Sequence, residues 1–246
     1  TWQDGEAFDA DDVMFTWNAL FNPAYTTSKV RADFKDAKGM KKIDAHTVQV
    51  TWKKKFFNAV GVMEGLPMMP QHVFAKDSTD FNKHPFHRAP MGTGPYKFKA
   101  WKTGDEITLQ RHEDYWAKGL SDPPFAYPNP PNKTLRFIVI KEAEVALQAF
   151  KRGDIDFVGM SPDQFARNED AFRADPTIGL AEYALPSYSY AVYNGRKANL
   201  KDKRVRQALS FAMNRDKIIE RVYHGVYKRI TGPFLPESNA YDASLE

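Results

Sequence analysis

The residues of this sequence that could do chemistry are few and loosely spaced. His84 and His87 flank Pro85-Phe86, with His72 and His112 elsewhere in the chain. Neutral imidazoles bind zinc or nickel well. A proline inside the pair places it in a loop, however, and no acidic or thiolate partner shares its spacing, so no metal is expected there. Asp154 and Asp156 stand two apart at the start of an expected strand and point the same way, and paired carboxylates can do acid–base work. Their position just after Gly153 fits a turn better. Gly92-Thr93-Gly94 lacks the third glycine of a dinucleotide fingerprint and leads into Pro95 and a strand rather than a helix. A turn is the expectation, with no cofactor. Lys201, Lys203, Arg204 and Arg206 form a basic run interrupted by Asp202. With no aromatic platform beside it, the run reads as a solvated helix face and not a nucleic-acid site. No nucleophile elbow or zincin motif is present, and the absence of cysteine removes thiolate chemistry. The expectation is a protein that is not an enzyme.

The bulk numbers set wider bounds. A chain of 246 residues can build one large or two modest domains, each with its own core. Hydrophobic content of 42% and charged content of 27% are those of a soluble globular protein. No apolar run has the length of a membrane helix. With neither a signal peptide nor an initiator methionine, Thr1 reads as the start of a trimmed or partial chain. The net charge of +4 is a weak basic bias that does not by itself imply a nucleic-acid partner. Lack of cysteine suits an oxidising or a reducing compartment. Aromatic residues at 14% suggest a generous core.

The elements that must position these residues follow from period and punctuation. Asp9 is an expected N-cap, with Asp11 and Asp12 in the first turn and Val13, Trp17, Leu20 and Phe21 on one face until Asn22-Pro23. Met40 to Trp52 reads as a hairpin turning at Asp44-Ala45-His46, and Phe56 to Leu66 as a short helix. Residues 75–90 read as loop. Tyr96 to Trp101 and Glu106 to Arg111 form a second hairpin about Lys102-Thr103-Gly104-Asp105. Lys118 to Asn132, which is rich in proline, is an irregular connection. From there the pattern predicts strand Leu135–Ile140, helix Glu142–Arg152, strand Ile155–Val158, helix Pro162–Ala174 and extended Ile178–Leu185. That order suggests an α/β layer with buried strands. The aromatic segment Tyr183–Asn194 then feeds two helices. The first carries Val205, Ala208, Leu209 and Ala212 on one face, and the second is capped by Asn214 and stops at Gly225.

Five segments taken together resemble one family. They are Asp4-Gly5-Glu6-Ala7-Phe8-Asp9-Ala10-Asp11-Asp12-Val13-Met14-Phe15-Thr16-Trp17, Gly92-Thr93-Gly94-Pro95-Tyr96, Arg111-His112-Glu113-Asp114-Tyr115-Trp116, Phe150-Lys151-Arg152-Gly153-Asp154-Ile155-Asp156 and Arg204-Val205-Arg206-Gln207-Ala208-Leu209. Each is weak alone, but their order from Asp4 to Leu209 resembles the family 5 extracellular solute-binding proteins of bacterial ABC importers, which carry oligopeptides, dipeptides or nickel. The resemblance implies a mixed α/β (α+β), two-lobed periplasmic-binding-protein-like fold, here incomplete. Residues 1–90 would be an accessory subdomain, 91–186 would belong to lobe I, and 187–246 would hold the crossover and the beginning of a truncated lobe II.

The implied role is capture of oligopeptides or dipeptides between the lobes and delivery to a membrane permease, by a monomer that is periplasmic or extracellular and lipid-anchored. A nickel chelate, a sugar or an opine-like ligand would also fit the family. Readings of a different class are a two-lobe peptide- or glycan-processing enzyme, and a sensor or chaperone on the same scaffold. On the implied map the candidate ligand residues are Met160 and Ser161 after the Ile155–Val158 strand, and Ser187, Tyr188, Ser189 and Tyr190 on the crossover. Period two sets the serines on one side and the tyrosines on the other. The Ser189 side is favoured, because a buried peptide backbone needs polar partners. The acidic residue that pairs with the ligand amino terminus in peptide-binding relatives would come beyond Glu246.

Overall fold

The structure is a computed structural model and describes residues 1–55, 57–76, 80–120, 129–183, 185, 187–236, 238–242 and 244. Phe56, Ala184, Pro186, Glu246 and residues 121–128 of the proline-rich connection lie outside the described residues. Two compact units emerge, Thr1–Ile140 and Lys141–Glu246. Eight helices and five strands are described, α1 Ala10–Phe21, α2 Ser28–Arg31, β1 Ala37–Asp44, β2 Thr47–Trp52, α3 Ala59–Glu64, α4 Gln71–Lys76, β3 Tyr96–Lys102, β4 Glu106–Arg111, β5 Thr134–Ile138, α5 Ala143–Lys151, α6 Pro162–Ala174, α7 Lys203–Ala212 and α8 Arg215–Tyr223. None of the described helices is long and apolar enough to cross a membrane.

The first unit is tied together at the start of α1. Asp9 caps the helix by accepting the Asp11 N–H at 2.8 Å, and Asp12 returns the favour by accepting the Asp9 N–H. This is a capping box, in which each side chain satisfies an amide the helix leaves unpaired. The buried Asp12 carboxylate does more. Its Oδ2 accepts Trp2 Nε1 at 2.9 Å and its Oδ1 accepts the Gln71 N–H at 2.8 Å, so one side chain holds the N-terminal segment, α1 and α4. Four residues on, the Thr16 hydroxyl donates to the Asp12 carbonyl and accepts the Met69 N–H. Below this polar seam Trp17, Leu20, Phe34 and Leu66 form the core, with Ala37, Met40, Val50 and Trp52 packed against it from the β1–β2 hairpin. The hairpin is antiparallel with Met40 opposite Val50, and the turn is closed by the His46 N–H donating to Asp44 Oδ1. α3 is shorter than the helix expected over Phe56–Leu66.

β3, β4 and β5 form an antiparallel sheet in that order. Gly104, at φ +78°, makes the turn between β3 and β4, a conformation that favours glycine. The strand expected over Leu135–Ile140 is β5, and its place differs from expectation. Among the described residues it is an edge strand, antiparallel to β4 and largely exposed, and not the buried strand expected of an α/β layer.

In the second unit α5 and α6 lie where the sequence put them. Ser161 and Gln164 form a capping box at the start of α6. The Lys151 ammonium donates to Asn168 Oδ1 at 2.6 Å, Phe150 meets Phe172 edge-on, and Leu147 is buried. Asp202 and Asn214 cap α7 and α8, and α8 ends in left-handed His224 and Gly225. The strands expected over Ile155–Val158, Ile178–Leu185 and Tyr183–Asn194 do not enter a ladder among the described residues. A strand exists only with a hydrogen-bonded neighbour, and residues 141–246 supply none among those described. The apolar face of α7 is likewise uncovered, with Val205 and Leu209 exposed.

Candidate functional site

The sequence singled out six residues, all in the second unit. Met160 is half-buried and precedes α6. Ser161 has a structural task, since its hydroxyl accepts the Gln164 N–H at 3.2 Å while its own N–H donates to Gln164 Oε1. The hydroxyl proton is left to donate elsewhere. Sequence reasoning missed this cap, although Ser161-Pro162-Asp163-Gln164 carries its signature, a serine followed three residues later by glutamine with proline at the first helical position.

Ser187, Tyr188, Ser189 and Tyr190 are all exposed. The Ser187 N–H donates to the Leu185 carbonyl at 2.7 Å. The Tyr188 and Tyr190 rings then lie on one side with centroids 5.3 Å apart, as the alternation of an extended chain requires. Among the described residues, no backbone hydrogen bond engages residues 188–193.

The other chemistry-bearing residues serve the local chain. His84 Nδ1 accepts the Phe86 N–H, and His87 Nε2 lies 2.7 Å from the Phe81 carbonyl. Asp154 pairs with Arg152 at 2.8 Å. The Gly92–Gly94 turn is clamped by the buried Gln3, whose amide donates to the Gly94 and Tyr96 carbonyls and accepts the Gly92 N–H. In the basic run, Arg204 pairs with its helix cap Asp202, and Arg206 donates to the Leu200 and Lys201 carbonyls.

Two histidines stand apart electrostatically. His72 lies 2.8 Å from Asp4. Burial pushes the Asp4 carboxyl upward, but the hydrogen bonds from His72 and from the Glu6 N–H, together with the His72 charge, hold the carboxyl below its usual range. His112 is buried with no partner for Nδ1 among the described residues, and burial first, then the Lys97 charge, lower its pKa. Neither histidine adjoins the six candidate residues in sequence. Two cavities of about 600 and 570 Å³ are open at the surface. One lies between Asp216, His224 and Arg229 beside α8, the other between Phe21, Asn22 and Lys38 beside α1. The six candidates line neither.

Comparison with known proteins gives one family. The model for "Bacterial extracellular solute-binding proteins, family 5 Middle" matches residues 1–246. The oligopeptide-binding protein AppA of Bacillus subtilis is 29% identical over 227 residues, 90% of this chain and 39% of AppA. The structure of that AppA in complex with a nonapeptide superposes on all of this chain with a TM-score of 0.77 at 27% identity, using 46% of its own length. The ABC transporter substrate-binding protein CtaP of Listeria monocytogenes gives a TM-score of 0.81 at 27% identity, covering 100% of this chain and 48% of CtaP. The chain thus spans less than half the length of these relatives, and its mixed α/β architecture is that of periplasmic binding proteins. It belongs to the bacterial extracellular solute-binding proteins of family 5.

Proposed function

We propose that this protein is the binding component of an ABC importer and captures peptides, holding them without changing them chemically and passing them to a membrane permease. Its place of work is outside the cytoplasmic membrane, in the periplasm or tethered at the cell surface, and it acts as a monomer without a cofactor. The observation that carries the reading is the stretch 188–193. In a chain matched along its whole length by the family model, this stretch offers a row of backbone N–H and C=O groups with no partner among the described residues.

An extended peptide binds such a row as an added strand, gaining affinity from main-chain hydrogen bonds that do not depend on its side chains. Ser187 and Ser189 lie on one side of the stretch and add hydroxyl donors and acceptors. The Tyr188–Tyr190 pair supplies apolar area on the other, and Met160 and Ser161 border the approach to α6. Water completes whatever polar groups of a varied side chain find no protein partner. On this reading residues 1–90 are an accessory subdomain, 91–186 belong to the first lobe, and the crossover at 187 leads into the second. Closure of the lobes over the guest presents the permease with a distinct conformation.

The test is native mass spectrometry of the full-length protein incubated with a peptide library, followed by analysis of the released ligand. Intact peptides recovered in stoichiometric amount are expected. Cleaved products would identify an enzyme instead, and failure to retain any peptide would remove peptides as the cargo.

A further inference from the structure

Residues 35–55 hold seven lysines against two aspartates, Asp36 and Asp44, a local charge of +5 in a chain whose total is +4. The rest of the molecule is therefore close to neutral, and the basic character belongs to the β1–β2 hairpin and its flanks. Register explains where this charge points. Met40, Val50 and Trp52 pack against the core, so Gly39, Lys41, Gln49 and Thr51, one position away, face outward.

That outward row contains no carboxylate. Lys42, on the inner side, is paired with Asp11, and Lys54 with Asp36, while the Lys53 ammonium rests on the Lys35 carbonyl. Lys35, Lys38, Lys41 and Lys55 are exposed and make no ion pair among the described residues. Beside the turn, Ile43 is 53% exposed.

We propose that this hairpin face docks on an anionic lipid surface. Lys41 stands on the outward row of the ladder, Lys38 at its bulge, and Lys35 and Lys55 just beyond its open end; at about 3.3 Å per residue this spread of roughly 20 Å matches a charged plane and not a compact phosphate or carboxylate. Lysine stems lie along apolar surface while their ammonium groups reach outward, and Ile43 at the tip is placed to enter the headgroup boundary. A membrane-facing patch of this kind also keeps the protein near its site of delivery, although its evidence is independent of what the protein carries.

The experiment is co-sedimentation of the full-length protein with phosphatidylcholine vesicles and with mixed phosphatidylglycerol–phosphatidylcholine vesicles, at low and high salt. Binding is expected only to the mixed vesicles at low salt, since salt screens exposed charge. Each removed lysine should weaken it about fivefold, so the K35Q/K38Q/K41Q/K55Q variant should lose roughly a hundredfold or more. The K35R/K38R/K41R/K55R variant should bind as the parent does. K197Q/K201Q/K203Q/K217Q, with the same change in net charge on the second unit, should also bind as the parent does, and all three should melt at the parental temperature. Equal binding to both vesicle types, no binding to either, or an equal loss in the second-unit variant would overturn the proposal.

Discussion

The two units of this protein use similar sequence patterns to different effect. In Thr1–Ile140 the apolar face of α1 meets the β1–β2 hairpin, Phe34 and Leu66, and large aromatic side chains such as Trp2, Trp17 and Phe34 are buried. Among the described residues of Lys141–Glu246 apolar burial is confined to the α5–α6 pair, through Leu147, Ala149 and Phe172. Elsewhere in that unit Phe157, Tyr190, Val192 and Phe211 are each more than 70% exposed. An amphipathic period therefore specifies a helix and which of its faces is apolar, while burial of that face depends on a second surface. In the first unit the chain provides one. Among the described residues of the second, α7 and the extended stretch after Tyr183 do not find one.

This contrast can be attacked by mutation. The largest effect should come from Asp12→Ala, which strands the Trp2, Asp9 and Gln71 donors inside the first unit. With three donors stranded at about 1–3 kcal/mol each, a loss of about 5 kcal/mol or more is expected, read by urea unfolding followed through tryptophan fluorescence. Next, Phe34→Ala should cost about 3–5 kcal/mol as a fully buried ring is removed. The matching change Phe211→Ala in the second unit should stay within about 0.5 kcal/mol. Equal costs for the two phenylalanines would abolish the distinction between the units.

A smaller effect is expected for Ser161→Ala, about 1 kcal/mol from the lost cap of α6, with Ser161→Asp retaining most of the stability. The smallest effect is a pH dependence at His112. Burial lowers its pKa in the folded state, so the unfolded chain binds the proton more readily. Its contribution is fully present above the unfolded value near 6.5 and is lost as pH falls from there toward the lower folded pKa. Thermal melts across that window should show the parent losing stability relative to His112→Gln, with the gap closing above it.

Local features were the legible part of this fold. Alternation together with Asp44-Ala45-His46 and Gly104 placed both hairpins, and Asp9 and Asn214 marked helix starts because a cap acts on amides two or three residues away. The segments 155–158 and 178–185 have strand-like composition but enter no ladder among the described residues, since pairing depends on a distant neighbour that no local period encodes. The same division runs through the candidate site. Period two correctly put Tyr188 and Tyr190 on one side. The hydrogen bond from Ser187 to Leu185 and the capping task of Ser161 depend on local geometry, which alternation does not report. The clamp of Gln3 on the Gly92–Gly94 turn joins residues about ninety positions apart and left no sequence signal.

Hydrogen exchange across residues 187–193, measured on the full-length protein with and without a bound peptide, addresses the central claim most directly. If the open backbone of this stretch receives the guest as an added strand, its amides should exchange rapidly when free and slow markedly on binding, with Ser189 and Tyr190 inside the protected window. Peptide binding that leaves these amides unprotected while slowing others would place the site elsewhere and contradict the account.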